Sequence, residues 1–334
     1  MIRMFCLFIF FFLINSIASD IWQREITTFD KFKKIINELE REGKYSEAID
    51  LIEKIWNRFP ERRFDLIKER EYLNDKTFQY EKNLDLWEDG HKLGYFFLLN
   101  NRMSRFKKYV RFSRFDSLIH RDSVLRKTAL ETSQTIYSMV EPVDYDPEKT
   151  YPLLIILHGG GSNLEMARKR WRLIPELKGG YLILFIQSYR YYDSKTFGWK
   201  SSDLRAYREI RTCFNEIVNK YAVDTTKVLI GGTSAGGTMA FDLAFNDVIP
   251  VRGIIAFCPG YNPSIEISKS KNKSLKVYML GGEQDYYLLR QKELAQIFDQ
   301  AGIKYKHEII PEMGHGFPNN YKKVLMEALL FLSQ

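Results

Sequence analysis

Gly232-Thr233-Ser234-Ala235-Gly236 is the segment that most restricts what this chain can fold into. It follows the apolar run Lys227-Val228-Leu229-Ile230-Gly231 and leads into Gly237-Thr238-Met239-Ala240-Phe241, a helix-like start of small residues. Glycines two positions either side of a serine permit a sharp strand-to-helix turn that lifts the serine hydroxyl above a sheet. Side chains at those two positions would clash with the strand and the helix. The pattern requires a strand before it, a helix after it and a sheet around it.

Three further pieces follow that requirement in chain order. Tyr151-Pro152-Leu153-Leu154-Ile155-Ile156-Leu157 reads as a buried strand and ends in His158-Gly159-Gly160-Gly161. Glycines there leave backbone N–H groups free to approach an oxyanion. Leu275-Lys276-Val277-Tyr278-Met279-Leu280 is another strand, followed by Gly281-Gly282-Glu283-Gln284-Asp285. A carboxylate just past a strand's C-terminal end sits on the edge where open α/β sheets carry their sites. Gly314-His315-Gly316 follows the strand-like Lys306-His307-Glu308-Ile309-Ile310. Strand patterns cover 135–140, 153–157, 181–187, 227–230, 251–257, 276–280 and 305–310. Helical patterns at 204–221, 237–245, 289–301 and 321–332 separate most of them, which predicts a largely parallel sheet with helices on both faces.

Residues 132–334, about three-fifths of the chain, resemble a serine esterase of the α/β-hydrolase superfamily. The likeness is carried by the four pieces above, by Asp144-Tyr145-Asp146-Pro147-Glu148-Lys149-Thr150-Tyr151-Pro152, and by Tyr221-Ala222-Val223-Asp224-Thr225-Thr226-Lys227. It is closest to the polyhydroxybutyrate-depolymerase, feruloyl-esterase and predicted-peptidase branch, which borders dienelactone hydrolases and prolyl-oligopeptidase catalytic domains. The resemblance implies a three-layer sandwich with a mostly parallel sheet, Ser234 as nucleophile, His315 as base and Asp285 as orienting acid. Gly159, Gly160 and the Ala235 N–H would hold the oxyanion. The order Ser, Asp, His is that of α/β-hydrolases. Position 233 is Thr and the glycine run after His158 is long, two departures that bear on the acyl pocket. No cofactor is expected, and no metal-ligand spacing is evident.

Each site residue has a rival. Glu283 competes with Asp285 for the acid. His91 and His120 lie in helical or linker sequence, His307 lies within a strand, and His158 precedes the glycine loop, where its usual job is to hold backbone. Only His315 is on a glycine-flanked loop after the last strand. Asp203 reads as the cap of the helix beginning near Leu204. Trp199 reads as either a cleft or a core residue.

The first 19 residues read as a signal peptide, predicting a secreted or periplasmic protein: Arg3, an apolar run from Phe5 to Leu13, then small Ser16 and Ala18. An uncleaved anchor is the alternative. Cys6 is inside the apolar run, and Cys213 and Cys258 read as small core residues in a compartment that permits a disulfide. Net charge is +8, or +7 without Arg3. The segment 102–127 alone supplies +7, from Arg102, Arg105, Lys107, Lys108, Arg111, Arg114, Arg121, Arg126 and Lys127 against Asp116 and Asp122. With Phe106, Tyr109, Phe112 and Phe115 interleaved, it reads either as a surface for an acidic partner or as a solvated face with aromatics packed inward. Nucleic acid is not an expected partner.

Residues 20–100 read as a small helical region and 101–131 as a basic connecting segment. Phe32, Ile35, Ile36 and Leu39 precede a break at Glu42-Gly43-Lys44, and Ala48, Ile49, Ile52 and Ile55 follow it. Gly43-Lys44-Tyr45 with Ala48, Ile52 and Pro60 resembles a tetratricopeptide unit, with Phe32 for the usual tryptophan and Ile36 for a glycine. One such unit cannot bury its own apolar face. The region is therefore expected to dock on the α/β domain. The whole reads as a secreted hydrolase of carboxylic esters acting on a small-molecule or glycan-linked ester. The alternatives are a serine peptidase of prolyl-oligopeptidase type and a non-catalytic helical adaptor with a degenerate hydrolase domain.

Overall fold

Seven apolar runs become the seven strands of one sheet because both of its faces are covered. The structure, a computed structural model, describes residues 26–171, 174–260 and 274–334, so the expected signal peptide lies outside the described residues. The chain divides into two compact units, Met1–Lys127 and Thr128–Gln334, with the division inside a helix at Phe115–Thr132.

In the second unit the chain runs β1 (Ile136–Val140), β2 (Tyr151–Leu157), a helix at Leu164–Arg170, another at Pro175–Gly180 and β3 (Leu182–Gln187). A hairpin of β4 (Tyr191–Asp193) and β5 (Thr196–Phe197) follows, then a helix at Leu204–Lys220, β6 (Val223–Thr233) and a helix at Ala235–Phe245. The rest is β7 (Gly253–Phe257), β8 (Lys276–Gly282), a helix at Leu288–Ala301, β9 (Lys304–Ile310) and a helix at Tyr321–Ser333. Strand order is β1-β3-β2-β6-β7-β8-β9; β1 runs antiparallel to β3 and every other pairing is parallel.

Alternation along each strand sorts side chains between two cores. Leu153, Ile155 and Leu157 of β2 join Leu182, Leu184 and Ile186 of β3 under the helices at Leu204–Lys220, Ala235–Phe245 and Leu288–Ala301. Leu154, Ile156, Ile183 and Phe185 point the other way, onto Ala167, Leu177, Val324, Leu325 and Ala328. A strand buried on both sides reads as a continuous apolar run, which is why these strands were legible. β3 lies to one side of β2 and β6 to the other. That reversal makes the C-terminal ends of β2 and β6 the switch point where open sheets bind ligands.

The first unit holds helices at Phe29–Arg41, Tyr45–Ile55, Arg63–Lys76 and Tyr80–Lys92. Each packs on the next. Phe32, Ile36, Leu39, Ile49 and Ile52 are covered by Leu66 and Leu73 of the third helix, so the apolar faces expected to need the sheet domain find their cover among residues 26–127. The segment 101–131 is not a connector either. Its Phe106, Tyr109 and Phe115 are at most 1% exposed and pack with Trp87, while Lys108 and Arg114 pair with Asp75 and Asp85. The charges face outward because the aromatics are needed inside.

Asp122 ties this unit together. Its buried carboxylate accepts the N–H groups of Phe97 at 2.5 Å and Leu99 at 3.1 Å and meets His91 Nε2 at 3.2 Å. Removing it leaves two buried donors unpaired, each costing about 1–3 kcal/mol. Asp122→Ala is expected to destabilise the unit by about 3 kcal/mol and to accelerate hydrogen exchange at the Phe97 and Leu99 amides. Unchanged protection at both amides would contradict this role.

Candidate active site

The turn after β6 has the geometry its glycines demand. Ser234 sits at φ 54°, ψ −120°, a region costly for a residue with a side chain, and its N–H is held by Phe257 O at 2.8 Å. A Cβ on Gly232 would come within 2.2 Å of the Gly236 carbonyl carbon. One on Gly236 would meet His158 O at 2.4 Å and Leu157 O at 2.6 Å. The helix at Ala235–Phe245 therefore lies directly against the end of β2, and the serine turn and glycine loop are one packed assembly.

His158 holds that loop. Its Nε2 accepts the Ser188 N–H at 3.1 Å, so Nδ1 carries the proton and donates to Gly159 O at 2.7 Å. Trp199 Nε1 donates to His158 O at 2.8 Å, which answers the question left open for Trp199: it packs against the core and braces the loop. The β4–β5 hairpin braces it too, since Gly161 N–H donates to Phe197 O at 2.9 Å and Phe197 N–H to Ser162 O at 2.7 Å. Gly161 is thereby committed, and Gly159 and Gly160 remain as the loop's candidate oxyanion donors beside Ala235.

On the far side, His315 Nδ1 lies 2.9 Å from Asp285 Oδ1. Asp285 follows β8, is 5% exposed, and accepts the Tyr287 N–H at 2.9 Å and Gln291 Nε2 at 2.9 Å. Burial alone would raise its carboxyl, but the Tyr287 amide, His315, Cys258 and Gln291 together hold it below the usual carboxylate range. Glu283 is exposed and accepts the Glu312 N–H at 3.0 Å instead, so of the two acids only Asp285 meets the histidine. Among the other histidines, His91 pairs with Asp122, His120 is exposed and His307 is half-buried in β9. Asp203 caps the helix it precedes, accepting the Arg205 and Ala206 amides.

Two neighbours were not foreseen. Cys258, at φ 47°, accepts the Gly316 N–H at 3.4 Å and its thiol donates to Gly316 O at 3.4 Å, so it braces the histidine loop, with its sulfur within 4.8 Å of the Asp285 and His315 ligand atoms. Burial pushes that thiol up to about 12. Cys213 and Cys258 are both free. Tyr286, 69% exposed, stacks on the His315 ring with centroids 4.3 Å apart. Partial desolvation of its ring against that site raises its phenol above the usual range, with the neighbouring Tyr287 and Asp285 adding to it. The dipeptide Asp285-Tyr286 was visible in the sequence, but nothing there showed which way the ring would fold.

Ser234, His315, Gly159, Gly160 and Tyr286 line one cleft of about 170 Å³, walled by Met166, Trp171 and Phe317. No direct hydrogen bond joins Ser234 to His315 here; such contacts often close only around a substrate. Among the described residues one group of possible metal ligands, Cys258, Asp285 and His315, brings its atoms within 4.8 Å of one another. Two of these three, Asp285 and His315, are already committed to each other through the 2.9 Å Oδ1–Nδ1 contact.

A model of the dienelactone hydrolase family matches residues 190–328. An uncharacterized protein from Bacillus cereus superposes with a TM-score of 0.51 at 19% identity, over 92% of this chain and 99% of its own. Esterase PE8 superposes with a TM-score of 0.51 at 14% identity, over 60% of this chain and 99% of its own. The fold is that of the α/β hydrolases. No curated protein matches the sequence. The match to the Bacillus cereus protein is long enough to include the helical unit, whereas esterase PE8 covers a share the size of the α/β-hydrolase unit alone.

His158 gives this site a pH signature. Burial drives its imidazole down to about 4 from 6.5, and the Ser188 N–H facing Nε2 opposes a second ring proton. The unfolded chain therefore binds more protons than the folded one below pH 6.5. This contribution, about 3 kcal/mol, is complete above pH 6.5 and lost as pH falls towards 4. His158→Gln is expected to flatten the fall in urea midpoint between pH 6.5 and 4. A wild-type slope in the variant would refute the assignment.

Proposed function

We propose that this protein is a serine hydrolase that cleaves carboxylic esters through an acyl-enzyme. The observation that carries the reading is the buried 2.9 Å Asp285–His315 pair opening onto the same cleft as the strained Ser234 turn. The dienelactone hydrolase match supports the broader reading, a hydrolase.

A neutral serine hydroxyl is a weak nucleophile and needs a base as it attacks. In this reading Ser234 Oγ adds to the ester carbonyl while His315 Nε2 takes its proton. Asp285, accepting from Nδ1–H, fixes the tautomer and stabilises the imidazolium without becoming protonated. The Ala235 N–H, with Gly159 and Gly160, receives the developing oxyanion, each donor contributing roughly 3–4 kcal/mol in the transition state. His315 returns the proton to the leaving alkoxide, and water repeats the sequence on the acyl-enzyme.

Ser234→Ala and His315→Ala are each expected to lower turnover of a nitrophenyl ester by about 10⁴–10⁶-fold, and the double variant by no more. Asp285→Asn should cost nearly as much, and Glu283→Gln little. Losses that multiply in the double variant, or a larger loss at Glu283, would break the assignment. Labelling by a fluorophosphonate that disappears in Ser234→Ala separates this reading from a non-catalytic adaptor. Faster turnover of aminoacyl anilides than of esters would favour a peptidase.

The size of the cleft supports a short acyl group. Its 170 Å³ is below the roughly 300–1,000 Å³ of drug-sized sites, and Trp171, 1% exposed and stacked on Phe257, closes its floor. Acetyl and butyryl esters are expected to exceed decanoyl esters in kcat/KM by tenfold or more, on the order of a few methylenes of lost binding. Equal rates along the series would contradict it. The basic, apolar and small-residue succession before residue 20 supports export, and no helix of the described residues is long and apolar enough to cross a membrane.

A further inference from the structure

This unit holds a cavity larger than the one beside Ser234. About 450 Å³ opens at the opposite edge of the sheet, where the strands begin. Pro152, Tyr181, Leu229, Leu329 and Leu332 supply apolar walls, and Lys227, Arg252 and Lys276 supply positive charge. Lys276 opens β8, whose seven residues span about 20 Å before the chain reaches Asp285. The two cavities are therefore separate sites.

Among the described residues, positive charges gather at this edge without matching carboxylates on Lys276 and Arg252. Lys276 is 8% exposed and stands between Gly253 on β7 and Lys304 on β9, so two lysines are paired directly across adjacent strands. Like charges so placed repel. Arg252 adjoins the same rung and donates to Ser274 O at 2.6 Å. Lys227 pairs with Asp224 at 2.9 Å, but among the described residues no carboxylate pairs with Lys276 or Arg252. Burial lowers the Lys276 ammonium below its usual range, and the charges of Lys304 and Arg252 lower it further. A buried lysine among cations, with open space beside it, is a place that an anion would stabilise.

We propose that this cavity binds an amphipathic anion, a medium-chain carboxylate whose head pairs with Lys276 and Arg252 and whose chain lies against Leu229, Leu329 and Leu332. The volume falls within the range of small-molecule sites, and the lining divides between an apolar side and a polar side that also carries Thr226, Ser333 and Gln334, the division an amphipathic ligand requires. The ligand's charge removes the repulsion at the first rung of β7, β8 and β9, so binding is coupled to stability.

The test is thermal unfolding of the full chain with octanoate, octanol and inorganic phosphate. Octanoate is expected to raise the midpoint saturably, octanol not to raise it, and phosphate to raise it only at much higher concentration. Lys276→Met should melt above wild type without ligand, because one repelling charge is gone, and should bind octanoate at least about tenfold more weakly. Lys276→Arg should keep the response, and Lys276→Gln provides the same contrast as Met if Met does not fold. An octanoate response equal in Lys276→Met and wild type would overturn the site. So would no response to octanoate, or phosphate acting as well as octanoate. The outcome does not depend on the chemistry at Ser234.

Discussion

The contact of bare backbone at Gly232 and Gly236 is what the α/β-hydrolase unit depends on. The helix at Ala235–Phe245 reaches the end of β2 only because no side chain intervenes between Gly236 and the carbonyls of Leu157 and His158. That approach goes with the positive-φ backbone of Ser234 at the head of the helix, and it leaves the His158 carbonyl for Trp199 to brace. A methyl group at either glycine would separate the serine from the loop that complements it.

The rest of the site is held by polar groups taken out of water. Asp285 keeps its charge under burial because the Tyr287 amide, Gln291 and His315 converge on it, and His158 stays neutral because a backbone N–H already faces its second nitrogen. Low dielectric strengthens such bonds and penalises any unpaired member. The same rule reads in reverse at the other end of the sheet, where no carboxylate among the described residues pairs with Lys276 or Arg252.

The helical unit illustrates how a sequence pattern can be right about elements and wrong about their cover. Ile36, Leu39, Ile49 and Ile52 do form the inward faces of two helices. A single recognisable repeat suggested that they lacked a partner. The third helix, at Arg63–Lys76, supplies Leu66 and Leu73 without carrying a detectable signature, and the aromatic residues of 101–131 close a second cluster around Trp87. Arginines and lysines interleaved with those aromatics masked a core segment as a linker.

By itself the sequence determined the strands, the serine turn and the chain order of Ser234, Asp285 and His315. Strands covered on both faces must be continuously apolar, and a nucleophile turn must be glycine-flanked, so both leave local marks. Asp203 as a helix cap is local in the same way. Tertiary structure decided what depends on residues distant in the chain. It chose Asp285 over Glu283 by turning one towards His315 and tying the other to the Glu312 amide. It put Cys258 beside the Asp285–His315 pair and folded Tyr286 over the imidazole. It also gathered Lys227, Arg252 and Lys276 at one sheet edge, because strand register converts positions 25 and 24 residues apart into neighbours. No local pattern encodes that, since it follows from how β7 and β8 align.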